Sequence, residues 1–154
     1  MSPLQARDEV TIHAPAASIW AAVTDITLLP VINPGVVKAA GTMNELYGTR
    51  TCDVENRGRK GTITERLVEF IPEERTVWKV ERDSMGMTKL LKDTRFILRL
   101  EKIADGVTRV TAETYYRPAH FVALMMNALM MKKMFTGAQR KILTNIKALV
   151  ENRS

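Results

Sequence analysis

The chain has 154 residues, 45% apolar and 26% charged, with a formal net charge of +6. That length and composition predict one globular domain, large enough to fill a core without metals or disulfides. Cys52 is the only cysteine, which excludes an intrachain disulfide and points to a reducing cytoplasm.

The opening segment "MSPLQARDEV" lacks the apolar stretch of a signal peptide. "EVTIHA" (9–14) sets Val10 and Ile12 against Glu9, Thr11 and His13, and this period of two predicts a half-buried strand. Pro15 suits the first turn of a helix through "AASIWAAV". Asp25 or Thr27 is placed to cap a second, short helix confined by Pro30 and Pro34. From Val36 to Tyr116 six strand patterns follow: "VVKAA", "GTRTCDVEN", "GTITERLVEF", "RTVWKVER", "TRFILRLEK" and "TRVTAETYY". Turn signals separate them, the clearest being "ADG" (104–106), so a mostly antiparallel sheet is expected. Pro118 then starts a helix of about thirty residues, in which Gly137 is the expected kink. No repeat or linker interrupts the chain.

The order of one strand, two short helices, six strands and a long helix resembles the helix-grip fold of the START-like (Bet v 1-like) superfamily. Within that superfamily the chain is most similar to the polyketide cyclase/dehydrase-like proteins. The residues carrying the resemblance are "VTIHAPAASIWAAVTDITLLPVINPGV", "ERLVEFIPEERTVWKV" and "DGVTRVTAETYYRP". It implies an α+β fold in which a curved seven-stranded antiparallel sheet wraps the long C-terminal helix. It also implies a cavity between them for an apolar ligand such as a lipid, isoprenoid, polyketide or aromatic metabolite. The competing expectation is a filled interior, as native cores usually are.

The long helix carries an anomaly. "HFVALMMNALMMKKMF" (120–135) puts five of the nine methionines into ten positions, in an oily run far short of the roughly 20 residues that span a bilayer. At 100° per residue, Phe121, Leu124, Met125, Ala128, Phe135, Ile142, Leu143, Ile146 and Val150 form one stripe, expected to face the sheet. Lys132 and Gln139 fall on that same stripe, with Lys132 expected either to snorkel out or to reach the cavity mouth. Met126, Met130 and Met134 form a second stripe on the other side. It is expected to be covered by a loop, or to serve as an adaptable contact for a second copy or an anionic membrane surface.

Strand periodicity nominates further lining residues. Trp78, Val80 and Arg82 share one face, Phe96 and Leu98 another, and Val110, Ala112, Thr114 and Tyr116 a third. With Phe121, Leu124, Met125 and Lys132 they make the expected ligand site. If the protein is a cyclase or dehydratase, Tyr116, His120, Arg82 and Lys132 are the available acids and bases. His13 and Cys52 read as structural residues. No metal-ligand spacing, cofactor loop or nucleic-acid motif appears, and the basic residues are scattered apart from "RGRK" (57–60) and Lys132–Lys133. Neither cofactor nor nucleic acid is therefore expected.

Overall fold

The computed structural model describes residues 1–153. The alternating segments become seven strands: β1 (Leu4–Ile12), β2 (Val36–Gly41), β3 (Thr49–Asn56), β4 (Arg59–Ile71), β5 (Arg75–Asp83), β6 (Leu91–Ala104) and β7 (Val107–Pro118). Every pairing is antiparallel, in the order β1-β7-β6-β5-β4-β3-β2, so the first strand closes onto the last. Register shifts interrupt β1/β7, β2/β3, β4/β5 and β6/β7. Such bulges bend a sheet and increase its twist, and this one grips a helix.

Between β1 and β2 lie α1 (Ala16–Val23), a 3-10 turn (Ile26–Leu28) and α2 (Leu29–Ile32). Pro15 precedes α1, and Asp25 caps the 3-10 turn by accepting the Thr27 N–H at 2.9 Å. Two features lie outside the sequence reading. β1 begins at Leu4 rather than near Glu9, and "SMG" leads into a one-turn helix, α3 (Met87–Leu90).

The long helix runs from α4 (Phe121–Met126) through a π-helical turn (Asn127–Met131) into α5 (Lys132–Asn152). The interruption sits at Asn127 and not at the expected Gly137. A π turn carries one extra residue, which rotates the following segment by about 100° relative to the preceding one. The buried line is therefore Ala123, Asn127, Met131, Phe135, Gln139, Leu143, Ile146 and Val150. Beyond the π turn the helical-wheel stripe is the buried one. Before it, the frame has slipped by one residue, so Phe121, Leu124, Met125 and Ala128 face outward.

Strand β7 runs beneath this line and shows how the interior is divided. Val110 lies in a solid cluster with Ile12, Ile19, Leu100, Leu143, Ile146 and Val150. Tyr116 lies in another with Ala6, Leu91, Met131 and Phe135. Ala112, at the edge of the first cluster, and Thr114, between the two, line the place where the interior is open.

Candidate functional site: a cavity between sheet and helix

The opening is a cavity of about 290 Å³. Its roof is the middle of α5, at Phe135, Ala138, Gln139 and Ile142. Its floor is the concave face of the sheet, including Cys52, Trp78, Phe96, Leu98, Ala112 and Thr114. Leu29, Ile32 and Val36, from α2 and the start of β2, wall one end. The hollow exists because short side chains stand where the layers face each other. Ala112 and Ala138 cannot meet across the gap, whereas Tyr116 and Phe135 close it further along.

Polar groups interrupt this lining, three of them nearly or fully buried: Arg50, Glu65 and Gln139. Arg50 and Glu65 are cross-strand partners, and the guanidinium bonds the carboxylate through Nε and Nη2, each at 3.3 Å. Both side chains are nearly buried, at 11% and 8% exposure. The same guanidinium lies 3.9 Å from the centre of the Trp78 ring, so its charge is held by a carboxylate and an aromatic face together. The third group is Gln139, whose Oε1 accepts the Thr114 hydroxyl at 2.5 Å. Cys52 completes the floor, and burial pushes its thiol up to about 11, which keeps it protonated and inert at neutral pH.

Of the residues expected to line the site, Trp78, Phe96, Leu98 and Ala112 do so. Val80, Val110 and Tyr116 are buried but lie off the cavity. Tyr116 instead donates to Asn127 Oδ1, while Asn127 Nδ2 donates to Gln5 at 3.0 Å. Phe121, Leu124 and Met125 are corrected outright, since the π turn swings them to the surface, and Lys132, at the start of α5, is exposed and off the cavity, the snorkelling outcome. Arg82 is exposed on β5. His120 is exposed too, and its Nδ1 accepts the Ala123 N–H, capping α4. On the second stripe, Met126 is half-buried beneath the helix, while Met130 and Met134 are exposed.

The sequence reading missed Arg50 and Glu65 as site residues. Their signal was a charge on an otherwise apolar strand face, Arg50 with Cys52 and Val54 and Glu65 with Ile63, faces that line the cavity. Gln139 carried a comparable signal, as a polar residue on the inward stripe.

Residues 3–151 match the family described as "Polyketide cyclase / dehydrase and lipid transport", and the chain belongs to it. No curated protein matches the sequence. Among solved structures the chain is similar to a Streptomyces aromatase/cyclase, at 18% identity and TM-score 0.75 over 96% of this chain and 93% of that one. It is also similar to a START superfamily protein from Mycobacterium smegmatis, at 14% identity and TM-score 0.74 over 96% and 97% of the two chains. A third likeness is to a point mutant of Thalictrum norcoclaurine synthase in complex with a transition-state analogue, at 14% identity and TM-score 0.76 over 100% and 98%. At these identities the likeness is one of fold, and that fold is the helix grip.

Proposed function

We propose that the chain is a single START-like domain that binds a compact hydrophobic small molecule in the sheet–helix cavity. The observation carrying this reading is the hollow itself, lined by apolar side chains between two solid plugs. At about 290 Å³ it lies near the lower end of the roughly 300–1,000 Å³ usual for ligand pockets, which favours fused rings or a short isoprenoid over a long acyl chain. Binding would be driven by burial of apolar surface, at about 25 cal/mol per Å². We take binding over cyclase or dehydratase chemistry because Tyr116, His120, Arg82 and Lys132 all lie off the cavity. Of the ionisable residues that do line it, Arg50 and Glu65 neutralise each other, Glu113 is paired with Arg99, and Asp25 is held by Thr27.

The test is mass spectrometry of small molecules that co-purify with the protein, together with uptake of a neutral naphthalene probe. Ala112→Phe, which fills the hollow, is expected to weaken probe binding at least about tenfold while the protein stays folded. A protein that carries no ligand and takes up no probe would remove this reading.

A second observation favours contact with an anionic membrane. Phe121, Val122, Leu124, Met125, Leu129, Met130 and Met134 are all exposed along α4, the π turn and the start of α5, Phe121 by 72% and Leu129 by 69%. No acidic residue occurs between Glu113 and Glu151, while Arg117, Lys132 and Lys133 stand exposed along the same stretch. An oily face bordered by cations suits a negatively charged lipid surface better than a second, equally cationic copy of this chain. Co-sedimentation with phosphatidylcholine vesicles should therefore require added phosphatidylserine and be lost in Leu129→Glu/Met130→Glu. Self-association abolished by the same pair of changes, without vesicle binding, would assign the face to a dimer instead.

A further inference from the structure

The strand directions put two separate features at one end of the molecule. β4 begins, β5 ends, β6 begins and β7 ends there, with Ile63 opposite Asp83 and Leu91 opposite Pro118. The β3–β4 turn, the segment from Ser84 to Leu90 and the start of α4 therefore share that end. Local contacts tie them together. Ser84 donates its N–H to Thr62 O at 3.0 Å, and the Thr62 N–H donates to Ser84 Oγ at 2.9 Å. The Ala119 N–H donates to Leu90 O at 2.8 Å. Both flanks overhang the sheet. β3 and β4 pair as far as Asn56 and Arg59, beyond the point where β5 stops at Asp83. On the other flank Asn127 lies over Tyr116, so α4, which precedes it, projects past the end of β7.

The charges at this end have one sign. Arg57, Arg59 and Lys60 are exposed at the β3–β4 turn, and none is in an ion pair among the described residues. Glu55, cross-strand from Lys60, is the one carboxylate from residue 55 to 62. Lys89, Lys92 and Arg117 stand exposed between the two flanks. The carboxylates nearby are occupied: Asp83 accepts the N–H groups of Met85, Met87 and Thr88, and Asp93 accepts from Ser2 and Arg95. Thus "RGRK", remote in sequence from the oily run, shares an end with the exposed Phe121, Val122, Leu124 and Met125. A dissolved polyanion would satisfy the cations and leave those side chains in water. An anionic bilayer satisfies both, since apolar groups enter below the headgroups while Lys and Arg stay at their level.

Resting on the membrane reading above, we propose that the β3–β4 turn is a second, separable contact with anionic lipid. α4 inserts on one flank, and Arg57, Arg59 and Lys60 hold headgroups on the other, so the protein docks by its end. The test is co-sedimentation of the full chain with phosphatidylcholine vesicles containing phosphatidylserine. Arg57→Ser/Lys60→Ser is compared with Lys102→Ser/Arg153→Ser, which removes equal charge at the opposite end, where β7 begins and α5 finishes. The first pair is expected to lose about thirtyfold in affinity, at roughly fivefold per cation. The second should lose less than about twofold, its charges lying well beyond a Debye length from the surface. Melting temperatures are measured alongside, and Arg59→Ser alone, with an expected loss of about fivefold, replaces the first pair if that pair is destabilised. An equal loss at both ends would mean that net charge alone acts. No loss at the turn would mean that the turn stays in solvent. Either result overturns the proposal and leaves the α4 contact standing. A wild type that ignores phosphatidylserine vesicles overturns both.

Discussion

Cys52 offers a readout of the cavity that needs no foreign group. Its thiol is 2% exposed, lines the hollow and is pushed by burial from an ordinary 9.0 up to about 11. At pH 8 the thiolate fraction is then about a hundredfold lower than for the unshifted group, each pH unit being tenfold. Alkylation by iodoacetamide, followed by mass, is expected to be slower by at least that factor in the folded protein than in urea. The same shift sets a pH dependence of stability. A group whose folded value is raised contributes fully below its unfolded value and loses that contribution as pH rises through the folded one. The Cys52 contribution is therefore lost between pH 9 and about 11. Cys52→Ala should flatten the fall in melting temperature across that window, whereas an unchanged profile would show that Cys52 carries none of it.

The long helix shows where sequence periodicity suffices and where it fails. From Phe135 onward the stripe read at 100° per residue is the buried one, because α5 is regular and rests on β1, β7, α1 and α2. Upstream, one π turn shifts the frame, and four residues assigned to the interior lie in solvent. No rule of side-chain periodicity marks that turn. The residue that opens it, Asn127, is tied to Tyr116 and Gln5 by hydrogen bonds that are long-range in sequence. The strands were legible because alternation and turn residues are local signals, and Trp78, Phe96, Leu98 and Ala112 were found that way. Arg50 and Glu65 were not, since charge satisfaction depends on which strand lies opposite which. Gly137 illustrates the same limit: it looked like a hinge and instead lies within continuous α5. An added Cβ there meets nothing within 4 Å. Gly137→Ala is expected to stabilise the protein by about 0.5–1 kcal/mol, read as a higher melting temperature with the urea m-value unchanged.

Charge and apolar surface are separated across the molecule. The ion pairs Arg109–Glu101 and Arg75–Glu69 lie on the sheet, while the exposed start of the long helix has cations and oily side chains but no carboxylate. If that face meets a membrane, vesicle binding should weaken as salt rises, because lysine attraction to anionic lipid decays over a Debye length of about 10 Å at 0.1 M. An apolar contact with a second copy would not weaken in this way. The closing of β1 onto β7 has a consequence for biosynthesis. Leu4 cannot find Tyr115 until the ribosome has delivered nearly the entire sheet, so the amino-terminal segment waits with an open edge. The oily α4 segment emerges immediately behind its completing strand. Final closure is thus a late, non-local event, and the edge of β1 stays unpaired until β7 has emerged.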